Sequence, residues 1–213
     1  MTSCEVEYFQ LYHLVGQFFN AAIVGSAARR LLGKDPNVLT GLGDALKRLP
    51  SLVIWVVIYA CLMTAAGFFK RKGKIRKFVG GAVQAAFHVA TFFVLPLIMI
   101  ENANPFGAMG RSANLLGKTW GQQVVANISL FVFRFLMSLP GLAVIAAGTL
   151  LWKEDSVRLI SVGVGSFLLV LGTGIVQTLT EIYRTALYFF VRDQKAPQGF
   201  AENQLQGTFR SGL

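Results

Sequence analysis

The chain alternates between long uncharged stretches and short basic linkers, and this pattern predicts membrane-spanning helices. Crossing about 30 Å of hydrocarbon requires roughly 20 apolar residues in a helix. Five stretches have about that length, and only one of them, the fourth, contains a Lys, Arg, Asp or Glu. They cover residues 8–28, 51–69, 78–100, 120–152 and 159–180. The sequence therefore predicts about five spans.

The fourth stretch is the least regular of the five. Pro140 and Gly141 interrupt its second half, and a proline inside a helix kinks or breaks it. Two interpretations are open: one long kinked helix, or an interfacial half joined to a spanning half.

Two linkers have the pattern of short amphipathic helices that lie at a membrane surface. In the first, leucines recur at helical spacing with charged residues on the other faces: Leu39, Leu42, Leu46 and Leu49. The linker 107–117 repeats the pattern, with Met109 and Leu115 around Arg111. The predicted fold is all-α, a polytopic transmembrane helix bundle with two short interfacial helices. One domain is expected over residues 1–192, followed by a polar tail over residues 193–213.

Composition supports a membrane environment. The 213 residues are 54% hydrophobic and 14% charged, and the mean hydropathy is +0.56, whereas a soluble domain is about a quarter charged. The net charge of +10 is explained by basic flanks of membrane helices. Glu5 and Glu7 stand where a signal peptide would be basic, so the first stretch is expected to stay in the mature protein. Two cysteines without paired spacing predict no disulfide framework.

The densest basic run lies between the second and third stretches. Its six cations are Lys70, Arg71, Lys72, Lys74, Arg76 and Lys77. If all five stretches cross, this run lies opposite the other basic linkers, against the positive-inside rule. Either the second or third stretch does not cross fully, or the run binds something specific. Anionic lipid headgroups are its predicted ligand, and nucleic acid is not predicted because no aromatic residues are interleaved.

Arg134 is the costliest residue in the predicted spans, since a cation at the bilayer centre costs about 3 to over 10 kcal/mol. Glu181 is its predicted ion-pair partner, and Glu101 is the competing one. Such a pair would fix the bundle. Two alternatives are open: Arg134 reaches lipid phosphate at the interface, or it has a transport role.

Small residues four positions apart let helix backbones approach closely in a membrane. Gly25, Gly81 and Gly165 each have such a neighbour and are predicted helix-packing positions. No catalytic constellation, phosphate loop or metal-ligand cluster stands out from the sequence. The chain is therefore predicted not to be an enzyme and to use no cofactor or metal.

Three segments resemble an uncharacterised family of prokaryotic polytopic membrane proteins. They are FFNAAIVGSAARRLLGKDP, TFFVLPLIMIENANPFGAMGRSANLLGKTWGQQVVANI and the run YRTALY at 183–188. The block 92–120 is distantly similar to the membrane region attached to some bacterial glycerophosphodiester phosphodiesterases. The resemblance implies about six spans, an inner (cytoplasmic) membrane and no established activity. Members of that family carry further hydrophobic sequence before the first stretch.

These observations favour a non-catalytic integral membrane protein that is an accessory or scaffold subunit of a larger membrane complex. The expected partners are anionic membrane lipids and either other membrane subunits or further copies of this chain. The alternative is a transporter or lipid-handling protein, which would place Arg134 and Glu181 around a polar cavity.

Overall fold

The computed structural model describes residues 3–69, 81, 83–84, 86–88, 90–117, 120–151, 154–193 and 199. Most of these residues are helical and none lies in a β-strand, so the predicted all-α class is confirmed for this part of the chain. The helices with defined bounds are α1 (Ser3–Leu31), α2 (Val38–Lys47), α3 (Leu49–Phe69), α4 (Val94–Glu101), α5 (Pro105–Gly117), α6 (Trp120–Leu151) and α7 (Asp155–Asp193). The described positions from 81 to 90 are also helical.

The described residues group into two compact units. The first contains those of Met1–Trp120 and Glu181–Ser211, and the second contains Gly121–Thr180. Helix α7 therefore contributes to both units. The predicted polar tail begins where α7 ends, and residues 194–198 and 200–213 lie outside the described part of the chain, so this boundary stays a prediction.

In the first unit, α1 packs against α2, α3 and α4. Asn37 caps the N-terminus of α2. Its side-chain oxygen accepts a hydrogen bond from the backbone N–H of Leu39, and its backbone N–H donates to the Thr40 hydroxyl. This reciprocal cap satisfies two amides that have no partner inside the helix. Gly41 then allows α2 to approach α1 closely, because a Cβ there would lie 2.8 Å from the Ala22 carbonyl oxygen.

The third predicted stretch is interrupted. A turn at residues 91–93 precedes α4, and the Thr91 hydroxyl donates to the Phe87 carbonyl at 2.8 Å. Pro96 lies in the first turn of α4, where its missing N–H removes no helical hydrogen bond. Every residue of α4 from Val94 to Met99 is buried. At about 12 Å, this eight-residue helix is much shorter than the hydrocarbon layer, so α4 alone does not cross it.

The second unit is a pair of long helices that approach each other at glycines. A Cβ on Gly165 of α7 would lie 2.7 Å from the Gly141 carbonyl oxygen of α6, and the reverse distance is also 2.7 Å. A Cβ on Gly148 of α6 would come as close to the Ser161 side chain of α7. A Cβ on Gly172 of α7 would come as close to the Met137 carbonyl oxygen of α6. Each helix thus places a glycine at the contact every two turns. We call this pair the glycine hairpin. Residues 120–151 of the fourth stretch form one helix, α6, which contains Pro140; how much of α6 crosses a membrane stays a prediction.

Two helices are long and apolar enough to cross a membrane, Phe131–Leu151 and Asp155–Asp193. A third candidate arises if Val38–Lys47 and Leu49–Thr64, which meet at a bend of 69°, form one broken span. These counts concern the described residues only. Helices α2 and α5 occupy the two linkers predicted to be amphipathic helices. A total of about five spans stays a prediction.

Candidate functional site

Glu101 joins three helices of the first unit. Helix α4 ends beside it because Asn102 adopts a left-handed conformation with a φ of 53°, which asparagine tolerates better than most residues. The Glu101 carboxylate accepts a hydrogen bond from the Tyr188 hydroxyl of α7 and pairs with Arg111 of α5. Tyr188 is completely buried. These three side chains, which we call the Glu101 cluster, link α4, α5 and α7.

The surroundings of Glu101 keep its carboxylate ionised. Burial by itself would raise the pKa, because a charged group loses contact with water. Hydrogen bonds from Tyr188 and Arg111, together with the positive charges of Arg111 and Arg192, outweigh burial and hold the pKa of Glu101 below its usual value. The side chain is therefore a charged acceptor that links helices, and it does not donate a proton near neutral pH.

Arg192, in the last turn of α7, lies beside Tyr188 of the Glu101 cluster. Its guanidinium lies 4.7 Å from the Phe189 ring centre and 5.8 Å from that of Tyr188, within the range of cation–π attraction. It also pairs with Asp193, with Nε 2.6 Å from a carboxylate oxygen. The last turn of α7 is thus held by ring and charge contacts.

Glu181 is a buried carboxylate of α7 in the first unit. Its described partner is Arg184 on the next turn, with Nη1 3.0 Å from Oε1. The Arg184 guanidinium also lies 4.7 Å from the ring centre of Phe92. Removing one partner from a buried ion pair leaves an uncompensated charge, which is strongly destabilising. Glu181 therefore has a charged partner on its own helix.

Arg134 lies in the second unit, where its described partner is Gln177. Its Nη2 donates to the Gln177 side-chain oxygen at 3.1 Å, which joins α6 to α7. Arg134 is the fourth residue of the candidate span Phe131–Leu151, and its side chain is exposed. Its contact with lipid phosphate at the interface and a role in transport both stay predictions. Glu101 and Glu181 have the other partners described above, and an ion pair of either with Arg134 stays a prediction.

The predicted packing glycines differ in their surroundings. Gly165 lies at the glycine hairpin contact. A Cβ on Gly25 would lie 3.3 Å from the Met99 side chain and 3.7 Å from that of Asp44, so this glycine faces α4 and α2. At Gly81 a Cβ would have no described neighbour within 4 Å.

The remaining predicted site is the basic run from 70 to 77. Lys70, Arg71, Lys72, Lys74, Arg76 and Lys77 all lie outside the described residues. Their binding to lipid headgroups therefore stays a prediction. Among the residues that the structure does describe, no group of three His, Cys, Asp or Glu side chains could hold a metal ion.

The structure brings together residues that the sequence did not connect. Tyr188 and Arg111 meet at Glu101 although they are far apart in the chain, and no local pattern indicates this contact. The pair of Glu181 and Arg184 could have been predicted from the sequence, because residues three apart in a helix lie on the same face. The two histidines of the chain lie next to the same tyrosine. The ring centre of His13 is 6.0 Å from that of Tyr59, and the ring centre of His88 is 5.9 Å from it.

One comparison with known proteins gives a match. The model of a family of unknown function (DUF6159) matches residues 5–199, which agrees with the resemblance to an uncharacterised family. No curated protein and no solved structure matches the chain. The distant similarity to the membrane region of some phosphodiesterases stays a prediction.

Proposed function

We propose that this chain, which belongs to the family of unknown function DUF6159, is a non-catalytic accessory or scaffold subunit of a larger membrane complex. The observation that carries the proposal is the apolar surface that the glycine hairpin leaves exposed. Leu150 and Leu159 are 82% and 77% exposed, and Phe131, Phe167 and Val170 are also largely uncovered. A surface of this kind needs lipid or an apolar partner around it.

The charged groups of the first unit support a structural role. Glu101, Glu181 and Asp44 each pair with an arginine of the same unit. The Glu101 and Asp44 pairs connect different helices. Carboxylates held in this way stabilise a bundle and are not positioned as acid–base groups facing a substrate.

The proposal includes a multi-pass arrangement of about five spans in a prokaryotic inner membrane. Helix α1 is not among the candidate spans of the described residues, but its 29 residues give a length of about 44 Å, which exceeds the thickness of the hydrocarbon layer. The interrupted third stretch would be a broken span. Its non-helical turn is tolerated at membrane depth only where protein covers it, and Phe92 and Phe93 of that turn are buried.

Purification from native membranes tests the scaffold role. The chain would carry a C-terminal tag, be extracted in mild detergent, and be analysed by mass spectrometry with its companions. The control is an unrelated tagged membrane protein of similar size from the same membranes. We expect a stoichiometric set of other membrane proteins that the control lacks. The chain alone, or a homo-oligomer with tightly held lipid, would overturn the scaffold role.

That second outcome would favour a transporter or lipid-handling protein. The observation on its side is the exposed hydrogen bond between Arg134 and Gln177, by which a charged group links two largely apolar helices. Polar groups at membrane depth commonly mark a substrate path. The scaffold role is preferred because Arg134 lies near one end of the candidate span Phe131–Leu151 and its side chain is exposed, so contact with lipid phosphate would satisfy it.

A further inference from the structure

Helix α2 turns its small residues toward α1 and three of its larger apolar residues outward, while Leu42 is partly buried against the core of the first unit. Gly41 and Ala45 are buried, and Gly41 sits against the α1 backbone. At 100° per residue, four apolar side chains fall within an arc of about 100° on another side of the helix. They are Val38, Leu39, Leu42 and Leu46, and we call them the α2 stripe. Val38, Leu39 and Leu46 are 75%, 74% and 58% exposed.

Helix α3, which follows α2 after one residue, also exposes apolar side chains. Leu49, Val53 and Val57 are exposed and lie at successive four-residue steps, so they share one side of α3. The two helices meet at 69°. If α3 crosses the bilayer, as the proposed function has it, α2 lies close to the membrane plane. The medium that covers the exposed side of α3 then also meets the α2 stripe.

Cations border the α2 stripe at both ends of α2. The side chains of Arg30, at the end of α1, and Lys47, at the end of α2, are 72% and 77% exposed. Arg30 pairs with the exposed Asp35 at 3.3 Å, and Lys47 lies 3.8 Å from Asp44. Two further cations, Lys34 and Arg48, lie in the same segment. Residues 29–48 hold five cations and two carboxylates, so the segment is basic beside an apolar stripe.

We propose that the α2 stripe and the four cations Arg30, Lys34, Lys47 and Arg48 form a site for anionic phospholipids. The stripe lies among the upper acyl chains, and the cations lie at the level of the phosphates. An apolar face bordered by lysine and arginine has the chemistry of helices that bind anionic membrane surfaces. The site differs from the basic run at 70–77, and it rests on the proposed membrane location of α3.

Spin labels on the full chain test the site in vesicles of phosphatidylcholine with or without phosphatidylglycerol. Cys4 and Cys61 are first changed to serine, and single labels are placed at Leu39→Cys or Gly43→Cys. Gly43 lies outside the arc of the α2 stripe and outside the proposed site, and a Cβ there would meet nothing within 4 Å, so it serves as the control position. We expect the label at 39 to collide several-fold more often with oxygen than with an aqueous nickel complex. The label at 43 should show a clearly lower preference for oxygen.

A second set of variants tests whether the cations contribute to lipid binding. Phosphatidylglycerol should move the label at position 39 deeper into the bilayer. Lys34→Gln with Lys47→Gln should remove that shift. The control is Lys153→Gln with Arg158→Gln, which changes two cations elsewhere and should leave the shift at position 39 intact.

Three results would overturn the proposal. A label at 39 that meets mainly the nickel complex would place the stripe in water. A label that meets neither reagent would show that protein covers the stripe. A depth independent of phosphatidylglycerol would remove anionic lipid as the ligand. None of these results would change the set of companions found on purification, so failure of this site is separable from failure of the scaffold role.

Discussion

The two units of the chain hold their helices together by different means. In the glycine hairpin, two long helices approach closely at Gly141, Gly148, Gly165 and Gly172, and their outer faces are apolar and exposed. In the first unit, shorter helices meet around a buried apolar core and are linked by carboxylate–arginine pairs such as Glu101 with Arg111. The stability of the hairpin therefore depends on the close fit of its two backbones and on the apolar surroundings of its outer faces. The stability of the first unit depends also on specific ion pairs.

The largest expected effect comes from adding a methyl group to the hairpin contact. Gly165→Ala would place a Cβ 2.4 Å from the Ile145 side chain and 2.7 Å from the Gly141 carbonyl oxygen. Because backbone cannot repack, we expect a loss of about 3 kcal/mol, measured by unfolding in mild detergent. Gly163→Ala is the matched control, since its Cβ meets nothing within 4 Å. It should stabilise slightly, and equal losses in both variants would contradict the glycine contact.

In the first unit the corresponding change is Glu101→Gln, which keeps the side-chain size and removes the charge. Arg111 loses its counter-charge and the Tyr188 hydroxyl loses a charged acceptor. We expect a loss of about 2 kcal/mol in the same unfolding measurement. The effect should shrink when Tyr188→Phe is already present, because the two changes remove a shared interaction. Strict additivity would argue against the Glu101 cluster.

The same carboxylate predicts a pH dependence. The pKa of Glu101 is lower in the folded protein than its usual value of about 4.3. Its contribution is therefore complete above that usual value and is lost as the pH falls through the lower folded pKa. Unfolding midpoints between about pH 6 and pH 3 should fall less steeply in Glu101→Gln than in the parent. Parallel profiles would show that Glu101 is not the titrating group.

A smaller effect is expected where α1 meets α2. Arg29 and Asp44 form a half-buried pair at 2.7 Å, so Asp44→Asn should cost up to about 1 kcal/mol. Asp35→Asn is the control, because the Asp35 side chain, which pairs with Arg30, is fully exposed. The control should have no measurable effect. If it matched Asp44→Asn, a general charge effect would replace the specific pair.

The units also differ in how well sequence patterns predicted them. In the glycine hairpin, residues 159–180 were expected to be one span and residues 120–152 either one kinked helix or two joined halves. Residues 159–180 are part of α7, and residues 120–151 form α6. In the first unit, the equally apolar stretch 78–100 is broken by a turn, and α4 is buried. Hydropathy cannot distinguish a helix surrounded by lipid from one surrounded by protein, since both environments are apolar.

The partners of the charged residues were harder to predict than the helices. The sequence predicted an ion pair of Arg134 with Glu181 or Glu101, and that pair stays a prediction. The partner that the structure describes for Arg134 is Gln177, an uncharged side chain that charge attraction alone would not indicate. The contact of Tyr188 with Glu101 depends on the folding of distant segments, and no spacing rule indicates it.

Cysteine labelling in native membranes tests most directly whether the glycine hairpin lies in lipid. Cys4 and Cys61 are changed to serine, and single cysteines replace Leu142, Phe167 or Glu154. The first two are exposed near the middle of the hairpin, and Glu154 lies between its helices. N-ethylmaleimide reacts with thiols in water and crosses membranes. We expect rapid labelling at 154 and protection at 142 and 167 until detergent denaturation. Equal labelling at all three positions in intact membranes would contradict a membrane-spanning hairpin.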